Sequence, residues 1–148
     1  MTRSQRLQPL LRVKQQNQDE AARELASREQ ALAEQQSRLE ALRQYADEYA
    51  LVGDGSVTNP ALLANRLAFR ARLDQAIVQQ SRAVDTSREH SEVERARLML
   101  ASRETHVLEK LSASYHADEV RAAEQRTQRE LDDLGARRRV AAGQDPSP

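Results

Sequence analysis

The sequence predicts an all-α protein: two long helices in an antiparallel coiled-coil hairpin, the second overhanging the first. Two stretches run for dozens of residues without Pro or Gly, one between Pro9 and Gly53 and one between Pro60 and Gly135. In the first stretch Leu and Ala recur at heptad spacing. A short segment of turn-forming residues separates the stretches, and a linker this short returns the second helix along the first.

Composition favours extended helices over a thick globular core. The chain has 148 residues, a length typical of one domain. Only 39% of them are hydrophobic and 3% aromatic, whereas 31% are charged. Because large aromatic side chains fill much of a compact core, this balance is typical of coiled coils.

Charge and cysteine content exclude several classes of function. The net charge is +0, so we expect no nucleic-acid partner. The absence of Cys removes disulfides, thiolate nucleophiles and Cys-zinc sites. The sequence has no membrane-spanning apolar run, and Met1–Leu7 lacks the apolar core of a secretion signal. We therefore expect a cytoplasmic protein without a transmembrane segment.

The first helix is predicted over about residues 4–51, and Pro9 is tolerated if it lies in the first turn. Its a positions are Leu25, Leu32, Leu39 and Ala46, and its d positions are Arg28, Gln35, Leu42 and Tyr49. This seam is apolar near the turn and half polar toward the N-terminus. We expect the N-terminal half to fray more easily.

Tyr45 falls at heptad position g, beside this seam, and forms an i, i+3, i+7 stripe with Leu42 and Tyr49. The stripe either covers the flank of the hairpin or binds a partner, and the residues themselves leave both interpretations open.

The turn is predicted over residues 52–59. Gly53 and Gly55 adopt positive φ at little steric cost. Thr58 or Asn59 can cap the next helix, and Pro60 suits its first position.

The second helix is predicted over about residues 60–134. Its seam begins with Leu73 and Ile77 and continues through Val84 and Leu98, interrupted at Ser91 and Thr105. At about 75 residues it exceeds the first helix by roughly 40 Å, which predicts an overhang after about Ala101.

Folding the chain about Ser56 places Leu39 opposite Leu73 and Leu32 near Gln80. Phe69 and Ala76 then fall at g, so we expect Phe69 to be exposed and close to Tyr45 on the neighbouring helix. Farther along the second helix, a second apolar stripe appears. This change suits a long helix whose far end meets a different surface. This stripe consists of Leu100, Val107 and Leu111, with Leu108 and Tyr115 beside it.

The end of the second helix is rich in charge and poor in apolar residues. Gly135 is predicted to be the C-cap, and Arg137–Arg139 would then follow the negative end of the helix. The alternative for these cations is an acidic partner or a lipid headgroup. Residues 141–148 are predicted to be a flexible tail.

No constellation of catalytic residues is found, and we expect neither enzyme activity nor a cofactor. His106 with Glu109, and His116 with Glu119, have the spacing of some helical metal ligands. Such a site needs ligands from four packed helices, so solvated polar faces are the expected interpretation. A two-helix hairpin also forms no deep pocket.

The chain resembles the flagellar export protein FliJ family, the coiled-coil component of the type III export ATPase complex. The matching stretches are Ala21–Arg23 with Leu25, Gln44–Tyr49, Phe69–Gln80 and Gln128–Arg139. The resemblance spans nearly the whole chain, including the position of the turn. It implies a hairpin similar to the rotary-stalk subunit of F-type ATPases.

The resemblance also implies partners and a location. They are the hexameric export ATPase, the cytoplasmic domain of the export gate and export chaperones, at the cytoplasmic face of the inner membrane. The implied gate-binding residues are Leu42, Tyr45, Tyr49, Phe69, Leu73 and Ala76. By the stalk analogy, the ATPase faces the charged end, with Arg121, Arg126, Arg129, Arg137, Arg138 and Arg139.

The alternative function is a generic structural coiled coil, such as a self-associating spacer. Oligomeric state separates the two hypotheses. A stalk should be a monomeric hairpin on its own, whereas a spacer should form a stable parallel dimer or a filament.

Overall fold

The structure, a computed structural model, describes residues 1–52 and 59–143, with Val52 described by its backbone alone. Helix α1 is Arg3–Val52 and helix α2 is Pro60–Gly143, and these described ranges contain no strand. The two helices pack against each other and run in opposite directions, so the predicted all-α hairpin is confirmed. Gly53 and Gly55, predicted for the turn, lie outside the described residues.

The contacts between the helices fall into two compact units. The terminal unit comprises Met1–Gln16 and Arg103–Pro148, and the central unit comprises Asn17–Ser102. In each unit one segment comes from α1 and the other from α2.

In the central unit the heptad pattern correctly predicts the buried faces. All eight predicted a and d positions of α1 from Leu25 to Tyr49 are buried or half-buried. On α2 the same seam includes the buried Leu73 and Val84, but also the buried Ser91 and Glu94. The core is therefore narrow, and much of it is polar.

In the terminal unit most of the buried residues are polar, with Leu11 as the exception. Ser4 and Leu11 are buried on α1, and Thr105 and Ser112 are buried on α2. The Thr105 hydroxyl donates to the Lys14 carbonyl at 3.2 Å. Polar contacts thus help to hold α1 against α2 as far as the first turn of α1.

A capping box explains why α1 begins earlier than Pro9. The Thr2 amide donates to Gln5 Oε1 at 3.2 Å, and the Gln5 amide approaches Thr2 Oγ1 at 3.4 Å. Pro9 consequently lies inside the helix, not in its first turn, and costs one backbone hydrogen bond there.

The start of α2 follows the expected pattern. The Ala61 amide donates to Asn59 Oδ1 at 3.0 Å, which makes Asn59 the N-cap. Pro60 is the first helical residue, where its missing N–H costs nothing.

The pairing predicted from a fold centred on Ser56 is wrong. Gln80 Nε2 contacts Gln35 Oε1 at 2.7 Å instead of lying near Leu32, and Arg28 contacts His90. The register differs by about one helical turn. Heptad patterns still bury their a and d positions after such a slide, so periodicity alone does not fix the register.

Two expectations about the far end of α2 are also wrong. The N-terminus of α1 packs beside Glu119, so the part of α2 beyond α1 is residues 120–143, about 35 Å, and does not begin at Ala101. The helix continues through Gly135 to Gly143 instead of ending at 134. A glycine inside a helix costs only about 1 kcal/mol relative to Ala, and the Ala and Arg residues around it favour helix. Of the predicted tail, Ala141–Gly143 is helical and residues 144–148 lie outside the described ranges.

Within the described residues, neither helix has a segment apolar enough to span a bilayer.

Candidate partner-binding site

An aromatic cluster joins the two helices in the central unit. The ring of Tyr49 on α1 lies 4.9 Å from that of Phe69 on α2, between centroids, in a tilted arrangement. Tyr45 meets the same Phe69 ring edge to face at 6.2 Å and 75°. These separations are favourable for aromatic pairs, which add about 0.5–1.5 kcal/mol beyond the area they bury.

The cluster is packed on one side and open on the other. Tyr45 is 51% exposed and Phe69 is 38% exposed. A cavity of about 600 Å³ lies against them, lined also by Tyr49, Leu62, Asn65 and Arg66. Such a surface offers a partner aromatic faces together with hydroxyl and guanidinium groups, the residue types that dominate protein interfaces.

The other implied gate-binding residues are less accessible. Leu42 and Ala76 are half-buried. Leu73 is only 7% exposed, so it belongs to the seam that supports the cluster and not to the surface itself. The structure therefore divides the six residues into two groups. Tyr45 and Phe69 are the exposed pair, and the other four are buried or half-buried residues that support this pair from the seam.

Leu62 lines the cavity but was not among the expected site residues. It precedes Phe69 by one heptad, so it occupies the same position g on α2. Extending the heptad assignment one repeat toward the turn would have found it.

The six arginines expected to face the ATPase all lie on α2 beyond Glu119, and all are exposed. Arg121 pairs with Asp118 at 2.9 Å. In the described ranges the other five take part in no ion pair. Carboxylates are interspersed along the same segment, so the surface is charged without being uniformly basic.

A carboxylate from α2 holds the first turn of α1. The Ser4 hydroxyl donates to Glu119 Oε2 at 2.6 Å, and the Ser4 amide donates to Oε1 at 3.0 Å. These hydrogen bonds, with the hydroxyl as the larger effect, lower the pKa of Glu119 below its usual value. One turn before Glu119 on α2, the centre of the Tyr115 ring lies 5.7 Å from the Arg3 guanidinium. Together these contacts fix the end of α1 against α2.

Metal-binding geometry is not present in the described part of the chain. No group of three or more His, Cys, Asp or Glu side chains converges there. Glu119, which the sequence pairs with His116, is engaged by Ser4 instead.

The family model described as Flagellar FliJ protein matches residues 3–144. Curated proteins and solved structures give no match. A family match over nearly the whole chain shows that this protein belongs to the flagellar FliJ family and is a component of the flagellar export apparatus.

Proposed function

We propose that the chain is a non-enzymatic coiled-coil stalk that binds both the hexameric export ATPase and the cytoplasmic domain of the export gate. It also assists in handling export chaperones, at the cytoplasmic face of the inner membrane. The observation that carries this proposal is the aromatic cluster of Tyr45, Tyr49 and Phe69, in which Tyr45 and Phe69 are exposed although aromatic residues are scarce in the chain.

The gate contact is assigned to the cluster and its supports. Tyr45 and Phe69 would enter the interface, because each is anchored by a neighbouring ring and still exposes a face. Tyr49, Leu42, Leu73 and Ala76 would hold that pair in place from the seam side. Rigid, partly buried aromatic residues suit a binding hot spot, since little side-chain entropy remains to be lost.

The first test separates binding from folding. Tyr45→Ala and Phe69→Ala should each weaken capture of the gate's cytoplasmic domain by about tenfold or more, with the helical circular-dichroism signal nearly unchanged. Leu73→Ala should instead lower stability by about 2 kcal/mol, because it leaves a cavity in the seam. Val93→Ala is the matched control, an exposed apolar residue of the same unit outside the cluster. Unchanged gate binding in both aromatic variants would refute the assignment.

The ATPase contact is assigned to residues 120–143 of α2, with Arg121, Arg126, Arg129 and Arg137–Arg139. An exposed helix with charges of both signs suits a ring bore lined by polar groups. Ending the chain after Val120 keeps Glu119 and its bonds to Ser4. We expect this truncation to abolish binding and stimulation of the ATPase while gate binding persists. If the truncated chain still stimulated the ATPase, this part of the proposal would fail.

The alternative, a self-associating spacer, predicts a stable dimer or filament in sedimentation experiments. The a and d positions of α1 are already covered by α2 within the same chain. That arrangement favours a monomer, because a parallel dimer would need the same seam.

A further inference from the structure

The terminal unit carries an apolar groove that the proposed function does not use. Leu10 on α1 and Val107 on α2 line a shallow cavity of about 360 Å³. Val13 lies one turn beyond Leu10, and Leu111 one turn beyond Val107. These four exposed residues, Leu10, Val13, Val107 and Leu111, form what we call the terminal groove.

The terminal groove is not part of the seam that holds the two helices together. Leu11 and Thr105 fill that seam and are buried. Val107, in contrast, is 63% exposed. Apolar side chains in a row on both helices of one unit, without a covering element among the described residues, are typical of a protein-binding surface.

The rim of the groove is basic. Lys14 and Glu104 line the cavity and form an ion pair at 3.0 Å, so they balance each other. Arg103 also lines it, Lys110 follows one heptad later on α2, and Arg6 lies one turn before Leu10 on α1. Within the described ranges these last three take part in no ion pair. The rim therefore presents uncompensated positive charge around an apolar floor.

We propose that the terminal groove binds an amphipathic α-helix of another protein, with acidic residues flanking its apolar stripe. The apolar residues of the groove repeat at i, i+3 and i, i+4 spacing on two adjacent helices, which suits a third helix packed into the groove. The carboxylates of the partner would meet Arg6, Arg103 and Lys110. A second copy of this chain is a poorer occupant, because it would bring the same basic rim against itself. The proposal goes beyond the stalk function and uses none of the residues assigned there.

A synthetic peptide of about three heptads serves as the probe, with Leu at a and d and Glu at e and g. The same peptide with Lys at e and g is its counterpart. Fluorescence anisotropy with the full-length chain should show binding of the acidic peptide, and at least about tenfold weaker binding of the basic one. Added salt should weaken the acidic complex.

Variants of the chain locate the bound peptide. Val107→Asp should weaken binding at least about tenfold, because it places a carboxylate on the apolar floor. Val78→Asp is the matched control, the same change at an exposed valine of α2 in the central unit, and should leave binding unchanged. The double variant Arg103→Gln, Lys110→Gln should reduce the preference for the acidic peptide.

The proposal would be overturned by equal binding of both peptides, by no binding of either, or by full binding of the acidic peptide to Val107→Asp. A concentration-dependent dimer that Val107→Asp abolishes would also overturn it, by identifying a second copy as the occupant. Loss of gate or ATPase binding in the earlier tests would leave these outcomes unaffected, so the two proposals fail separately.

Discussion

Replacing Glu94 by Leu should stabilise the hairpin, although it removes an ion pair. Glu94 occupies heptad position d on α2, where the side chain faces α1 and is 9% exposed. Its ion-pair partner, Arg97, lies three residues along the same helix at 2.9 Å and is 68% exposed. The pair therefore combines a largely desolvated carboxylate with a largely solvated guanidinium.

The opposing effects can be ranked by size. An ion pair with one partner in water contributes about 0–1 kcal/mol. Burying a Leu side chain at the same position contributes about 1.5–3 kcal/mol, somewhat less once the compactness of the unfolded chain is considered. A Leu side chain reaches no farther from the backbone than a Glu side chain, so overpacking is not expected. The expected net gain in the free energy of unfolding is about 1–2 kcal/mol.

Urea unfolding followed by circular dichroism measures this change. Arg97→Ala removes the ion pair but leaves the largely desolvated Glu94 carboxylate unpaired, so it should cost about 1–3 kcal/mol, more than the pair itself contributes. Glu94→Gln keeps a polar group of similar shape in the seam, so it should not reproduce the gain made by Leu. If Glu94→Leu unfolded at a lower urea concentration than the original chain, the carboxylate would have to be favourably placed, and the reasoning would be refuted.

Two further predictions concern the terminal unit. The pKa of Glu119 is lowered in the folded chain, so its stabilising effect is complete above its unfolded-state pKa and is lost as the pH falls through the folded one. Urea midpoints measured from neutral pH to about pH 3 should therefore fall less for Glu119→Gln than for the original chain; parallel curves would contradict this. Gly135→Ala should raise the helical signal and stabilise the end of α2 by about 1 kcal/mol, since a Cβ there meets nothing within 4 Å. A loss of helicity would mean that Gly135 acts as a C-cap after all.

The buried face of α1 in the central unit could be predicted from sequence because it depends on local periodicity. Leucines every seven residues from Leu25 to Leu39 define one face of a helix wherever that helix packs. The same rule identified Tyr45 and Phe69 as flank residues on neighbouring helices. In the terminal unit the same seven-residue spacing leads to Ser4 and Thr105, which are buried although neither is apolar. Small polar residues give no hydropathy signal, so their burial cannot be predicted from the sequence pattern. It depends instead on hydrogen bonds to the other helix.

The register of α1 against α2 could not be predicted from the sequence, for a different physical reason. The Ser4–Glu119 contact joins residues separated by 115 positions, and nothing local to either one indicates the other. Sliding two heptad helices past each other exchanges one set of apolar contacts for a similar set. The difference in free energy between registers then depends on individual polar contacts, which cannot be seen until the partners are placed.

In the central unit those polar contacts have a consequence for binding. Gln80 Nε2 lies within hydrogen-bonding distance of both the side chain and the backbone carbonyl of Gln35, at 2.7 and 2.9 Å. A slid register would leave this half-buried amide without those acceptors, which costs about 1–3 kcal/mol. The same register sets Phe69 between Tyr45 and Tyr49, whereas a slide of one turn would move its ring by about 5 Å along the seam. The polar residues that weaken the seam thus select the one alignment in which the exposed aromatic pair is assembled. A purely apolar seam would be more stable and less able to hold that surface in place.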